Sequence, residues 1–158
     1  MRWYNLLGED DVRFAMFEKG AMSAEVFDVA PMDSISIAFP MFNEKENLPR
    51  TVEKAARILS SITDDYEIII VDDASTDGAG ELAEQIGRVN NRIRVVHHPE
   101  NKSLGGALKT GFGHATKEII VYTDMDLPFD LERLREALPL LSEYDVVKGA
   151  ATARGNPG

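Results

Sequence analysis

The sequence predicts an α/β fold in which a mostly parallel β-sheet is covered by helices on both faces. From residue 34 onward, short runs rich in Ile and Val alternate with longer stretches whose apolar residues recur at helical spacing. The short runs are apolar almost throughout, which is typical of strands buried on both faces. The chain has 158 residues, 44% of them hydrophobic and 28% charged, which is enough for one domain with a core.

Five strands and four helices are predicted in alternation. In order, the strands cover residues 34–39, 67–71, 93–96, 119–123 and 145–148, and the helices cover residues 47–62, 82–89, 103–115 and 130–141. Pro40 is expected to end the first strand, and Pro49 is tolerated because it falls in the first turn of a helix. Asp130 is expected to cap the last helix, which should break near Pro139 because proline disrupts helical hydrogen bonding.

Residues 1–30 are predicted to be an N-terminal extension, and residues 31–158 to be the main domain. The extension mixes acidic residues with aromatic and aliphatic ones, unlike the alternating pattern that follows. Asp10 or Asp11 could cap a short helix within it. Its aromatic side chains are expected to dock onto the main domain or onto a second copy of the chain.

The composition excludes several classes of function. The formal net charge is −10 and the pI is about 4.7, whereas bulk binding to nucleic acid or anionic lipid requires a basic surface. The chain has no cysteine, so disulfides and thiolate metal sites are excluded. The N-terminus lacks the apolar run of a signal peptide, and no stretch approaches the ~20 apolar residues of a membrane helix. A cytoplasmic protein is therefore expected.

Polar residues follow the C-terminal ends of the predicted strands, where parallel sheets bind their ligands. They occupy residues 40–44, 72–75, 97–102 and 124–126. Asp124 and Asp126 lie two residues apart just beyond a strand, so both carboxylates should project to the same side. Such a pair suits Mg²⁺ or Mn²⁺, although an Asp-x-Asp sequence alone is more often an ordinary acidic loop. The concentration of polar residues at one end of the sheet favours the metal site.

Two common nucleotide-binding motifs are absent from the sequence. A dinucleotide-binding domain would place Gly-x-Gly-x-x-Gly after its first strand, but residues 40–44 read PMFNE. Residues 106–111 contain glycine, lysine and threonine, but in the wrong order for a phosphate-binding P-loop. The sequence therefore excludes a Rossmann dehydrogenase and a P-loop enzyme.

Four loop segments carry a more specific signal: residues 39–44 (FPMFNE), 71–78 (VDDASTDG), 105–111 (GGALKTG) and 123–126 (TDMD). In this order they resemble the motifs of glycosyltransferase family 2, whose members are inverting enzymes of the GT-A fold. The resemblance covers about residues 34–154 and is strongest to the dolichol-phosphate mannosyltransferase and polyprenol-phosphate glycosyltransferase branch. Members of the family continue with an acceptor-binding half, often followed by membrane anchors. The resemblance therefore implies that this chain is C-terminally truncated.

The resemblance also implies roles for individual side chains. The nucleotide-sugar pocket would comprise Pro40, Asn43, Glu44, Asp72, Asp73, Ser75, Lys102, Lys109 and Asp124. Asp73 would accept a hydrogen bond from the nucleobase of a UDP- or GDP-linked sugar, and Lys102 and Lys109 would meet its phosphates. Asp124 and Asp126 would be the catalytic pair, because the Mg²⁺ or Mn²⁺ that they hold stabilises the departing nucleoside diphosphate.

Each of these residues also has a plain structural explanation. Asn43 could cap the helix that follows, and Pro40 could simply end a strand. Asp72 and Asp73 could be turn residues, and exposed lysines are usually just solvated. His97 and His98 follow a strand, but no third metal ligand lies near them in the sequence.

The sequence thus predicts transfer of a sugar from a nucleotide donor, with a polyprenyl phosphate as the expected acceptor. A phosphate is already ionised near neutral pH, so it needs alignment rather than a general base. Two alternatives are a non-catalytic nucleotide-sugar binder and a nucleotidyltransferase, although the latter should carry a basic Gly-rich loop where residues 40–44 lie. An exposed sheet edge or the N-terminal extension could pair two copies, and the lipid acceptor or a missing C-terminal part could bring the protein to a membrane.

Overall fold

The computed structural model describes residues 13–17, 34–127 and 130–149. Its strands are β1 (Arg13–Phe17), β2 (Ile35–Met41), β3 (Tyr66–Asp72), β4 (Ile93–His97), β5 (Ile119–Tyr122) and β6 (Val146–Gly149). Within the described ranges they form one sheet in the order β4-β3-β2-β5-β1-β6. Every neighbouring pair is parallel, so all the C-terminal strand ends lie along one edge. The predicted parallel sheet is confirmed.

Helices cover both faces of this sheet, as the sequence predicts. They are α1 (Leu48–Ser60), α2 (Ala79–Val89), α3 (Ser103–His114) and α4 (Leu134–Ala137). Residues of α1, α2 and α4 share one buried apolar cluster with Ile68 and Ile70 of β3. Ile69 and Val71, which alternate with them along the strand, pack with Ala107 of α3 on the opposite face. No helix in the described part of the chain is long and apolar enough to cross a membrane.

The last predicted helix is present but divided. Turns of 3-10 helix at Leu131–Arg133 and Leu138–Ser142 flank the single turn of α4. Asp130 caps the first of them, because its side chain accepts a hydrogen bond from the backbone N–H of Glu132. Pro139 lies at the start of the second, where it cannot donate the hydrogen bond that would continue an α-helix.

Pro40 does not end the first strand of the main domain. β2 continues through it to Met41, and Pro40 pairs with Val71 of β3. Ala38 accepts a hydrogen bond from the backbone N–H of Thr123 on the β5 side, so Pro40, two residues later, directs its backbone to that same side. The last β2–β5 pair is at Ala38, so the missing N–H of Pro40 interrupts no ladder.

The N-terminal extension contributes a strand where the sequence suggested a short helix. Residues 13–17 form β1, which lies between β5 and β6 and is parallel to both. Pairing with β5 and β6 on either side outweighs the weak helical preference of this segment, because strand formation depends strongly on tertiary context. Asp10, Asp11 and the other residues of the extension lie outside the described residues. The domain boundary near residue 30 stays a prediction.

A buried polar clamp lies at the N-terminal edge of the sheet, opposite the polar loops. Glu67 accepts hydrogen bonds from the hydroxyl of Ser36 at 2.7 Å and from the backbone N–H of Thr116 at 2.7 Å. Burial alone would raise the pKa of Glu67, but these hydrogen bonds outweigh it and hold the pKa below its usual value. The clamp therefore fixes the connection between α3 and β5 and leaves the opposite edge for ligands.

Candidate functional site

The parallel register brings four loops to one edge of the sheet. The backbone N–H of Asp73 donates to Met41 at 2.8 Å, and the N–H of His98 donates to Asp72 at 2.8 Å. These bonds carry the strand pairing one residue beyond β3 and β4. The loops that follow β2, β3, β4 and β5 therefore leave the sheet side by side, as the sequence predicts. The edge of the sheet that these four loops form is called the rim below.

The loops after β2 and β3 are bonded directly to each other. The backbone N–H of Asn43 donates to the hydroxyl of Ser75 at 3.0 Å, and the side-chain oxygen of Asn43 accepts from the N–H of Thr76 at 2.8 Å. Asn43 has a φ of 56°, a left-handed conformation that asparagine tolerates better than most residues. Asn43 thus bridges two loops and does not cap α1, whose first flanking residue is Asn47.

Glu44 lies beside this bridge and is half-buried. Its carboxylate accepts a hydrogen bond from the side-chain amide of Asn47 at 2.7 Å. Asp77 holds the far side of the same loop pair by accepting from the backbone N–H groups of Lys45 at 3.0 Å and Ala79 at 2.9 Å. Burial is the largest single effect on the pKa of Asp77 and raises it, but the backbone hydrogen bonds together outweigh burial and hold the pKa below its usual value.

Asp72 and Asp73 point to opposite faces of the sheet, because they are consecutive residues in extended chain. Asp72 faces α2, where its Oδ2 lies 2.8 Å from Nδ1 of His97 and its Oδ1 accepts from the N–H of Ser75 at 3.0 Å. Both aspartates are buried, with exposed fractions of 5% and 4%. Asp72 therefore supports the β3 loop and has a histidine partner that the sequence did not identify.

Asp73 faces α3 and is bonded through one oxygen. Its Oδ1 lies 2.6 Å from Nδ1 of His98 and accepts from the backbone N–H of Lys102 at 2.8 Å. The other ring nitrogen of His98 lies 2.8 Å from the hydroxyl of Thr110 on α3. Both of these hydrogen bonds are made by Oδ1, and no hydrogen bond from a described residue reaches Oδ2 of Asp73.

Asp124 and Asp126 are exposed on the turn that follows β5. Met125 between them is buried, and its carbonyl accepts a hydrogen bond from the hydroxyl of Thr51 on α1 at 2.6 Å. Oδ1 of Asp124 accepts from the hydroxyl of Tyr122 at 2.9 Å. The turn is thus anchored by its central residue, and this leaves the two carboxylates on the solvent side.

The two predicted phosphate-binding lysines are placed differently. Lys102 immediately precedes α3 at the rim, with its backbone on Asp73 and its side chain exposed. Lys109 is also exposed, but it lies about 9 Å along α3 from the first residue of that helix. Within the described ranges, neither ammonium group makes an ion pair, and Lys109 is not brought into contact with the other predicted site residues.

Residues 36–157 match the family described as Glycosyl transferase family 2. The chain belongs to glycosyl transferase family 2. The match covers most of the chain and all four loops, and together with the parallel sheet it establishes the predicted GT-A fold. The narrower resemblance to dolichol-phosphate mannosyltransferases is not decided by this match.

Solved structures share the fold of this glycosyl transferase family 2 domain. The mannosyltransferase PcManGT from Pyrobaculum calidifontis, solved with GDP-Man and Mn²⁺, is 26% identical with a TM-score of 0.63, and the match covers 75% of this chain and 36% of that one. S. aureus TarS is 20% identical with a TM-score of 0.57, covering 79% and 38% of the two chains. TarS in complex with UDP-GlcNAc is 21% identical with a TM-score of 0.51, covering 59% and 26%. The chain spans between about a quarter and little more than a third of the length of these proteins.

The carboxylates after β5 are suitable ligands for a divalent cation that also binds the phosphates of a nucleotide. In the part of the chain that the structure describes, no three His, Asp or Glu side chains gather around one point. Mg²⁺ at nucleotide sites commonly takes only one or two carboxylates and completes its shell with phosphate oxygens and water. Asp124 and Asp126 supply two exposed carboxylates, which fits this mode of binding.

Sequence reasoning missed the contacts that His97 and His98 make. The sequence suggests only a pair of metal ligands without a third partner, whereas His97 contacts Asp72 and His98 contacts Asp73. The sequence does contain a signal for these contacts: an Asp-Asp pair follows one predicted strand and a His-His pair follows the next. Asp72 and His97 then lie opposite each other in the parallel register of β3 and β4. A small cavity of about 190 Å³ lies on the α2 side of this pair, lined by Asp72, Ser75, Gly80, Glu81, Glu84 and His97.

Proposed function

We propose that this chain forms the donor-binding part of a metal-dependent, inverting glycosyltransferase. It would transfer a sugar from a UDP- or GDP-linked donor to the phosphate of a polyprenyl acceptor. The observation that carries the proposal is the shared rim: the exposed carboxylates of Asp124 and Asp126 follow β5, and Asp73 follows β3 at the same edge of the sheet. Membership of the family supports sugar transfer, and PcManGT, solved with GDP-Man and Mn²⁺, supports a nucleotide-sugar donor and a divalent cation.

Different residues at the rim would bind different parts of the nucleotide-sugar donor. Asp73 would accept a hydrogen bond from the nucleobase through its remaining oxygen, and the Asn43–Ser75 bridge would hold the nucleoside between the loops after β2 and β3. Lys102 at the start of α3 would face the diphosphate, where a cation and the backbone N–H groups of a helix start favour negative charge. Asp124 and Asp126 would hold Mg²⁺ or Mn²⁺, which would supply positive charge to stabilise the departing nucleoside diphosphate.

A phosphate acceptor can react without a general base. An oxygen of the acceptor phosphate forms a bond to the anomeric carbon as the bond to the nucleoside diphosphate breaks, and the bonding electrons leave with the diphosphate. No proton has to be removed from an ionised phosphate. Asp130 is a poor base, because its hydrogen bond with Lys54 lowers its pKa more than burial raises it.

Donor binding with and without metal tests the proposal. UDP- and GDP-linked sugars should bind the wild-type chain with an affinity that Mn²⁺ raises at least tenfold, about 1.4 kcal/mol. The double variant Asp124→Asn, Asp126→Asn should lose this dependence on Mn²⁺ and stay folded, because both side chains are exposed. A matched control is Asp64→Asn with Glu118→Gln, which removes the same charge near the opposite edge of the sheet.

An unchanged effect of Mn²⁺ in the double variant would refute the metal assignment. Transfer to a polyprenyl phosphate is then assayed with the tightest donor. Binding without transfer would indicate a donor-binding module that acts with further chain or a partner, and absence of binding by every donor would refute the proposal as a whole.

A further inference from the structure

His98 is a buried titratable side chain that the proposed reaction leaves without a function. Its side chain is only 4% exposed, and both ring nitrogens have polar partners from different elements. Nδ1 lies 2.6 Å from Oδ1 of Asp73, and Nε2 lies 2.8 Å from Oγ1 of Thr110. The ring therefore connects Asp73, the residue after β3, to the middle of α3.

The partners of the ring determine its hydrogen-bonding roles. A carboxylate only accepts, so Nδ1 must carry a proton and donate it to Asp73. The hydroxyl of Thr110 can donate to a bare Nε2 or accept from a protonated one. The hydrogen bond from His98 to Asp73 is therefore made whether the ring is neutral or protonated. This favours a constant positioning role over a pH-dependent one.

The same carboxylate oxygen also accepts the backbone N–H of Lys102 at 2.8 Å. Two donors from different directions fix the rotation of the Asp73 carboxylate, and burial removes competing water. Oδ2 is then held in one orientation before a ligand arrives. An acceptor that is already oriented loses little conformational freedom on binding, so it discriminates more strongly between ligands.

We propose that His98 is a positioning residue that sets nucleobase specificity by presenting Oδ2 of Asp73 to a ring N–H of the base. This inference rests on the proposed function and adds a specificity determinant to it. Uracil and guanine carry a ring N–H on the edge away from the sugar. The corresponding ring nitrogen of cytosine and adenine is an acceptor, which a fixed carboxylate repels. The site therefore selects uridine or guanosine nucleotides.

Binding of four nucleoside diphosphates tests this assignment. The wild-type chain should bind UDP or GDP at least tenfold more tightly than CDP and ADP, about 1.4 kcal/mol. His98→Leu removes both hydrogen bonds at similar volume, and the preference should fall to about threefold or less, because the carboxylate can then rotate. His98→Asn keeps a short N–H donor toward Asp73 and should recover most of the preference.

Thr110→Val serves as a matched control for a purely structural effect. It removes the hydrogen bond at the other end of the ring and leaves the contact between His98 and Asp73 in place. Thermal unfolding of all variants separates lost stability from lost selectivity. A folded His98→Leu variant with the wild-type preference would overturn the inference, and so would a loss of preference in Thr110→Val as large as that in His98→Leu.

A spectroscopic measurement covers the case in which His98→Leu does not fold. In ¹H–¹⁵N spectra of the wild-type imidazoles, His98 should show a protonated Nδ1 that shifts when UDP or GDP is added, whereas the exposed His114 should not respond. An unprotonated Nδ1, or no response to a bound nucleotide, would overturn the inference. If the wild-type chain binds none of the four nucleotides, the proposed function fails and this inference fails with it. Binding without any base preference overturns the inference alone.

Discussion

At the scale of single residues, two neighbouring aspartates meet two neighbouring histidines at the rim, with different environments. His98 is buried against Asp73, whereas the side chain of His97 is 43% exposed between Asp72 and Glu84. Both ring nitrogens of His97 face carboxylate oxygens, at 2.8 and 3.1 Å, so both hydrogen bonds form only when the ring is protonated. The bond to Asp72 raises the pKa of His97 most, burial opposes it, and the bond to Glu84 raises it further.

This arrangement predicts a pH-dependent contribution to stability. The pKa of His97 in the folded chain lies above its ordinary value of 6.5, so the contribution is fully present below that value and is lost as the pH rises through the folded pKa. His97→Gln should therefore destabilise the chain more at about pH 5.5 than at about pH 8.5, by less than about 1 kcal/mol because solvent screens half-exposed pairs. Urea unfolding at both pH values measures the difference.

His114→Gln is the matched control, because His114 is exposed and its ring contacts a backbone carbonyl instead of a carboxylate. The effect of His114→Gln on the free energy of unfolding, measured at the same two pH values, gives the baseline for the His97→Gln difference. A His97→Gln effect that grows toward alkaline pH would contradict the predicted sign.

At the scale of elements, α2 lies close to β3 because of a glycine in its first turn. A Cβ atom at Gly80 would lie 2.5 Å from Oδ2 of Asp72 and 3.3 Å from Cε1 of His97. The carboxylate cannot move aside freely, because Ser75 and His97 both hold it. The contact between helix and strand, and therefore the Asp72–His97 pair, depends on the missing side chain.

Gly80→Ala should destabilise the chain by about 1–3 kcal/mol, as overpacking of a close contact usually does. Gly113→Ala near the end of α3 is the control, because nothing lies within 4 Å of the added Cβ atom. Alanine favours a helix over glycine, so this variant should be neutral or more stable by up to about 1 kcal/mol. Thermal unfolding compares the two, and equal melting temperatures would show that the Gly80 contact relaxes without cost.

At the scale of the whole molecule, the sheet depends on a strand from outside the repeating strand–helix pattern. In the described part of the chain, β1 is the only strand that pairs with β6, and it joins β6 to β5. Residues 13–17 are therefore a structural member of the sheet, next to the strand β5 that precedes Asp124.

Deletion of residues 1–17 tests this organisation. Without β1, backbone amides of β6 lose their partners, and hydrogen exchange at residues 146–149 should become faster by about tenfold or more. Deletion of residues 1–11 keeps β1 and should leave this exchange unchanged. Unchanged exchange after the longer deletion would instead support an extension that is separate from the main sheet. Mass spectrometry of exchanged peptides provides the measurement.

The sequence by itself determined the strand–helix order, the parallel sheet and the family, because these follow from short-range periodicity and from loop motifs in a fixed order. It also placed Asp73, Asp124 and Asp126 at one edge, since parallel strands end together. The catalytic and binding roles of these residues stay predictions. Errors occurred where a local pattern was ambiguous, as at Pro40, whose missing N–H is harmless only because β5 has already ended.

Only the tertiary structure decided which side chains meet. The partners of Asp72 and Asp73 lie 25 residues later in the chain, and Asn43 binds a loop 32 residues away. Such pairs depend on strand register and on which face each residue presents, and no local periodicity encodes either. The position of β1 has the same cause: a five-residue strand carries little conformational preference of its own, so the strands beside it decide its conformation.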